Sequence, residues 1–309
     1  MSEAKKSSDK CDLPAIVERL CTGEQTITRR AGTTCCEPLP SRADVIRMAE
    51  RLRAALFPGF FGISEVRAET LAFHVGHVLD EVQRTMELQI RRCLAFSEDD
   101  ASEGTRFDQA ARRRTAAFFQ RLPEVQHLLA GDVRAAYEGD PAARTPDEAV
   151  FCYPGVLTIT NHRLAHELYR LEVPLLPRII SEHAHSITGI DIHPGAQVGQ
   201  HFFIDHGTGV VIGETCIIGD RVRIYQGVTL GAKSFPLDEE GKPIKGIPRH
   251  PIIEDDVIVY SGATILGRVT IGAGSMIGGN VWLTRDVPPG SRVTVQPARE
   301  ERFQLGGGI

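Results

Sequence analysis

Between Ile190 and Leu283 an aliphatic residue returns at every sixth position, and no other feature of the chain limits its fold so tightly. The lattice runs through Ile192, Val198, Ile204 and Val210, slips by two, and resumes at Ile212, Ile218, Ile224 and Leu230. After an interruption it passes through Ile253, Val259, Ile265, Ile271, Ile277 and Leu283. Every one of these positions is Ile, Val or Leu, where about half would be apolar of any kind by chance. A helix repeats at about 3.6 residues and a strand at about 2, so a period of six fits neither. It is the hexapeptide period of a parallel β-helix, in which three short strands close a triangular coil and each aliphatic residue points inward onto its counterpart one coil away. Glycine often follows the inward residue, as at Gly199, Gly213, Gly219, Gly272 and Gly278, where a corner has to turn without a Cβ clash. The period does not fix the handedness.

The rest of the chain reads differently. Residues 1–40 mix Ser, Thr, Lys and Gly without a sustained period and read as a disordered leader. Residues 41–188 read as an α-helical domain. Helices are expected from the candidate N-cap Ser41 to about Phe57, then over about 65–96, 107–121, 123–138, 153–170 and 173–187. Residues 189–296 form the repeat domain. Its interruption at 232–252, rich in Pro and Gly, reads as a loop excursion from one corner, and long loops on rigid scaffolds are often functional. Residues 297–309 read as a flexible tail. The fold class is thus α+β, a helical domain followed by a parallel β-helix.

Composition excludes several function classes. A net charge of −5 leaves no nucleic-acid footprint. No apolar run reaches membrane-spanning length, and residues 1–14 lack the apolar core of a signal peptide. The seven cysteines form no zinc-like pair and suit reduced thiols in the cytoplasm.

Four motifs inside the repeat domain carry a more specific likeness: Asp191-Ile192-His193-Pro194; the run Ile204-Asp205-His206-Gly207-Thr208-Gly209 continuing to Gly213-Glu214-Thr215; Gln226-Gly227-Val228-Thr229-Leu230-Gly231; and Arg249-His250-Pro251. With Asp140-Pro141 upstream, the stretch 139–300 resembles the serine O-acetyltransferases of the hexapeptide-repeat acyltransferase family. That resemblance implies a left-handed β-helix, a homotrimer built through it, and commonly a hexamer built through the helical domains. It also implies acetyl transfer from acetyl-CoA, as cosubstrate, to L-serine, giving O-acetyl-L-serine for cysteine synthesis, with L-cysteine competing as feedback inhibitor and no tightly bound cofactor or metal.

The residue types suit that chemistry. Serine's hydroxyl is a weak nucleophile, so a base has to take its proton as the thioester carbonyl is attacked. His206 matches the family's base and Asp191, fifteen residues earlier, its orienting carboxylate. Asp205 and Asp140 resemble the family's contacts to the serine ammonium, although a corner hydrogen bond and a helix cap would also use them. Arg249 suits the serine carboxylate, and His250 either that carboxylate or the developing oxyanion. His193 belongs to the substrate site or is a structural corner. Gly231, Ala232, Ser261 and Gly279 occupy family-like positions along the pantetheine arm of acetyl-CoA, and their small size also suits corners. The resemblance further implies that Ile309, after Gly306-Gly307-Gly308, enters the active site of O-acetylserine sulfhydrylase.

Three other readings share the scaffold. One is a zinc hydrase like the γ-class carbonic anhydrases, using His201 and His206 with His193 or His250. The second is a hexapeptide acetyltransferase for a sugar, an antibiotic or homoserine. The third is a non-catalytic β-helix that scaffolds a partner.

Overall fold

A computed structural model describes residues 11–22, 38–62, 66–97 and 104–296. Its helices are α1 (Leu13–Thr22), α2 (Arg42–Leu56), α3 (Leu71–Ser97), α4 (Gly104–Gly139), α5 (Pro146–Cys152), α6 (Pro154–Arg170) and α7 (Leu176–Thr188). The expected leader therefore contains a helix. Asp12 accepts the Ala15 N–H at 3.3 Å, and Leu13, Ile16, Val17 and Leu20 share one face. This α1 belongs to a unit of its own, residues 1–36.

Within residues 37–309, Ser41 caps α2 by accepting the Asp44 N–H at 3.2 Å, as expected. The break expected at Pro123 does not occur, because α4 runs straight through it. An interior proline forfeits one N–H bond and crowds one carbonyl, but Phe118, Leu122, Val125 and Leu129 are all buried and hold both halves to one core. Helix α5, absent from the expectations, has a local cause: Thr145 accepts the Glu148 N–H at 3.3 Å and Pro146 occupies the first turn. Helix α7 starts three residues later than expected and ends at Gly189, whose left-handed φ of 71° turns the chain into the β-helix.

The β-helix has strands β1 (Asp191–Ile192), β2 (Gln197–Val198), β3 (Phe203–Ile204), β4 (Val211–Ile212), β5 (Ile217–Ile218), β6 (Arg223–Ile224), β7 (Thr229–Gly231), β8 (Ile252–Ile253), β9 (Ile258–Val259), β10 (Thr264–Leu266), β11 (Thr270–Ile271), β12 (Met276–Ile277), β13 (Trp282–Leu283) and β14 (Arg292–Val293). They build three parallel faces: face A is β1-β4-β7-β10-β13, face B is β2-β5-β8-β11, and face C is β3-β6-β9-β12-β14. The chain visits A, B and C in turn and winds as a left-handed helix. Every lattice residue except Val210 is the inward residue of a strand, and Val210 is buried just before β4. Each such burial is worth roughly 1.5–3 kcal/mol, so the column is the main source of the domain's stability.

Register locates two irregularities. A regular coil is 18 residues, as between Ile212 and its partner Leu230. Ile192 pairs with Ile212, twenty residues on, so the first coil is two residues longer. The Asp205 N–H donates to the Ile224 carbonyl and the Gly227 N–H to the Thr208 carbonyl. Three residues, His206-Gly207-Thr208, therefore stand where the next coil has only Gln226. Leu230 pairs with Ile265, 35 residues on, which contains the excursion. That excursion folds back through a bridge between Leu237 and Pro243 and rejoins face B at Ile252.

The helical domain grips the β-helix at the corner between faces B and C. Arg163 on α6 forms a two-pronged pair with Asp132 on α4, at 2.6 and 2.9 Å, and also donates to the carbonyls of Val198 and Gly199. Asp132 in turn accepts the Phe202 N–H at 2.9 Å.

Candidate active site

The irregular corner between faces C and A carries the first group of candidate residues. His206 has a left-handed φ of 54° and a side chain 75% exposed, with its Nε2 atom 4.0 Å from Asp205 Oδ1. Gly207 follows with φ 85°, and a Cβ there would lie 2.3 Å from Ile190, so only glycine fits behind the histidine. Asp140, at the end of α4, reaches the same corner. Its Oδ2 accepts the Tyr153 O–H at 2.5 Å and its Oδ1 the Ala142 N–H at 2.8 Å. The Tyr153 bond, helped by the Ala142 bond, holds the Asp140 carboxyl below its ordinary range.

The corner between faces A and B carries the second group. Arg249 donates to Glu214 at 2.7 Å, and Tyr169 donates to the other Glu214 oxygen at 3.3 Å. Burial pushes the Glu214 carboxyl up, but the Arg249 hydrogen bond and the neighbouring charges outweigh it and leave the group below its ordinary range. Arg249, expected to hold the serine carboxylate, also donates to a resident partner, Glu214, and to the Ile247 carbonyl. His250 is buried, and its Nδ1 accepts the Thr215 N–H at 3.1 Å. Burial, with Arg249 next to it, pushes His250 down to about 4. The ring is therefore neutral near pH 7, its proton sits on Nε2, and it acts there as a donor. A Cβ at Gly213 would lie 2.1 Å from the ring, so this glycine makes room for it. His193 lies in the same group, its Nδ1 accepting the Gly195 N–H at 3.0 Å, and burial pushes it down to about 4.

The expected acetyl-CoA positions divide in the same way. Gly231 ends β7 and Ala232 follows it at the A–B corner, whereas Ser261 and Gly279 lie at the C–A corner. There a Cβ on Gly279 would lie 3.1 Å from the Ser261 carbonyl. Among the described residues no hydrogen bond or ion pair joins the two corners. A cleft of about 1000 Å³ between α6 and face B borders Tyr169 but contains none of the candidate residues.

Asp191 departs from expectation. Its backbone N–H donates to the Val210 carbonyl, beside the His206 corner. Its carboxylate, though, forms no hydrogen bond or ion pair with His206 among the described residues. It faces α7 instead, where Glu182, His185 and Asp191 each place one ligand-type atom within 4.8 Å of the others. Burial pushes the Asp191 carboxyl up, with His185 opposing and Glu182 adding to the shift. This trio is the arrangement among the described residues that could hold a metal ion. Within one chain the histidines of the zinc reading, which would meet across a trimer interface, stand apart: His201 packs on α4 beside Gly131 at the B–C corner, and His206 lies at the C–A corner.

Tyr153, Glu214, Thr215 and Tyr169 complete the two groups. Thr215 and Glu214 fall inside a recognised motif, whereas Tyr153 and Tyr169 lie in the helical domain, where only Pro154 and helical spacing mark their surroundings.

Comparison with known proteins agrees with this architecture. Residues 250–285 match the family described as bacterial transferase hexapeptide (six repeats). The plasmid serine acetyltransferase of Synechococcus elongatus is 56% identical over 278 residues, 88% of this chain and 86% of the relative. Serine acetyltransferase 1 of Entamoeba histolytica in complex with L-cysteine superposes with a TM-score of 0.70 at 37% identity, covering 80% of this chain and 86% of that one. Soybean serine acetyltransferase complexed with serine gives 0.53 at 29% identity, covering 83% and 98%. With 56% identity over 88% of its length, the chain belongs to the serine acetyltransferase family.

Proposed function

We propose that this protein transfers the acetyl group of acetyl-CoA to the hydroxyl of L-serine, giving O-acetyl-L-serine and CoA, the first step of cysteine biosynthesis from serine. The observation that carries the reading is the chemical content of the two corners. Two carboxylates beside an imidazole, Asp140 and Asp205 with His206, suit an ammonium next to a hydroxyl. A guanidinium beside a neutral imidazole donor, Arg249 and His250, suits a carboxylate and a nascent oxyanion. The complexes of relatives with serine and with L-cysteine agree with an amino-acid site.

The two corners flank face A, which exposes Val211 and Trp282. A trimer that sets the C–A corner of one protomer against the A–B corner of the next joins them into three sites. It also brings Ser261 and Gly279 opposite Gly231 and Ala232 along one acetyl-CoA arm. In such a site His206 takes the serine hydroxyl proton as the oxygen attacks the thioester carbonyl carbon. The resulting oxyanion accepts the His250 Nε2–H. Its collapse breaks the carbon–sulfur bond, and the imidazolium returns the proton to the leaving thiolate. Asp191 is assigned to the second ring nitrogen once the exposed His206 turns back over the corner, and His193 to the wall of the carboxylate subsite. No acyl-enzyme is needed. Cys216 is buried, bonded to the Leu230 carbonyl, and pushed up to about 12 by burial.

L-cysteine shares serine's ammonium and carboxylate and competes as a feedback inhibitor. No tightly bound cofactor is assigned. Among the described residues no helix is long and apolar enough to cross a membrane; the scattered cysteines, read as reduced thiols, support a cytoplasmic assignment. Ile309, outside the described residues, is assigned to an O-acetylserine sulfhydrylase partner; deleting it should weaken association, and unchanged affinity would remove that assignment. The central test follows thiol release from acetyl-CoA with serine, homoserine and simple sugars, for the wild type and His206→Ala. Serine should be preferred and the variant should lose transfer. A preference for another acceptor, or full activity without His206, overturns the reading.

A further inference from the structure

Tyr153 belongs to none of the recognised motifs, yet the structure builds it into the ammonium end of the site. It precedes Pro154, which biases it to the extended conformation seen, φ −83° and ψ 122°. Its ring packs against the buried cluster of Val133, Ala136, Ala149, Val150, Val156 and Phe203. The next residue but one, Gly155, lies so close to β3 that a Cβ there would fall 2.4 Å from the Ile204 carbonyl oxygen. The segment Tyr153–Gly155 is thereby fixed against the strand that leads into Asp205 and His206. From this anchored position the hydroxyl donates to Asp140 Oδ2 at 2.5 Å, while the Ala142 N–H holds Oδ1. The phenol is pushed above its ordinary range, first by that bond and then by burial, with the charges of Asp140, Glu148 and Asp205 adding to the shift.

We propose that Tyr153 is the positioning residue of the ammonium subsite: its hydroxyl aims the Asp140 carboxylate so that Asp140 and Asp205 together select acceptors carrying an α-ammonium group. This rests on the assignment of Asp140 and Asp205 to the serine ammonium. Asp140 is partly exposed on a turn, and two donors in fixed directions hold its carboxylate while leaving lone pairs free to accept from a ligand. The helical domain thus supplies part of the amino-acid specificity of a site whose chemistry lies on the β-helix.

Tyr153→Phe keeps the ring and removes only the O–H. Its KM for serine should rise about tenfold, and the inhibition constant of L-cysteine should rise by a similar factor, since one charge-assisted hydrogen bond is at stake. The loss falls on KM rather than kcat, and KM for acetyl-CoA stays at its wild-type value. Preference for serine over 3-hydroxypropionate, which lacks the ammonium, narrows. An unchanged thermal midpoint confirms that packing is intact. If the wild type acetylates serine and the variant keeps its serine KM and cysteine inhibition within twofold, the inference is overturned. If the wild type does not acetylate serine, the assigned reaction fails first.

Discussion

The sharpest test of the chemistry is at His250. The Thr215 N–H donates to Nδ1, and Thr215 Oγ1, which already accepts the Arg249 and His250 N–H groups, lies 2.9 Å from the same nitrogen, so the one proton the neutral ring carries is presented at Nε2. With the ring pushed down to about 4, roughly one imidazole in a thousand is cationic at pH 7. His250→Asn retains an acceptor for the Thr215 N–H but presents nothing at the Nε2 position. Losing one preorganised oxyanion donor lowers kcat by about 10²–10³, or ~2.7–4 kcal/mol of transition-state stabilisation. His250→Gln places an amide N–H near the Nε2 position and should lie within about tenfold of wild type. Initial rates of thiol release, with each substrate varied, separate kcat from KM. The acid limb of kcat should be unchanged, since His250 is already neutral across the assayed range. A kcat for His250→Asn within about threefold of wild type, with the loss in the serine KM instead, would refute the oxyanion role and assign the ring to the substrate carboxylate.

Other expectations follow from the same structure. Asp132→Ala leaves Arg163 buried without its partner and should cost about 3–5 kcal/mol, read from denaturant unfolding; a loss below about 1 kcal/mol would show that the two carbonyl contacts of Arg163 suffice. Gly155→Ala forces α6 away from β3, and kcat/KM should fall at least about tenfold while helical circular dichroism is retained. His162, His193 and His250 are all held below their ordinary range by burial. Between about pH 4 and 6.5 the unfolded chain takes up protons that these folded rings refuse, so stability rises with pH through that window and levels off above it. Asp191, pushed up by burial, opposes this, so the comparison is with His162→Phe, whose unfolding midpoint should change less between pH 5 and 7. Dialysis against a chelator should leave kcat unaltered, and loss of activity restored by zinc would revive the hydrase reading.

Much of this molecule was legible in its sequence, because a β-helix writes its geometry into one residue in six. The inward column from Ile192 to Leu283 needed no long-range information. The two-residue slip in that column was visible too, and it marks the corner bearing His206. Helix boundaries were less legible. A lone Pro123 reads as a break, whereas the core contacts of Phe118, Leu122 and Val125 carry α4 through it. Short helices such as α1 and α5 depend on capping by Asp12 and Thr145 rather than on a long apolar period. Pairings between distant residues were beyond reach. No spacing rule links Tyr153 to Asp140, Glu214 to Arg249 or His185 to Asp191, because each pair is brought together by tertiary packing.

The separation of the two corners has a genetic counterpart. A chain lacking His206 keeps an intact Arg249–His250 corner, and a chain lacking His250 keeps an intact Asp205–His206 corner. In the proposed trimer, two such inactive alleles, co-expressed in equal amounts and mixed at random, would regenerate about a quarter of the wild-type junctions. Two changes in the same corner would not complement each other at all. Intragenic complementation between alleles would thus sort the residues of this enzyme by corner without any view of the assembled molecule.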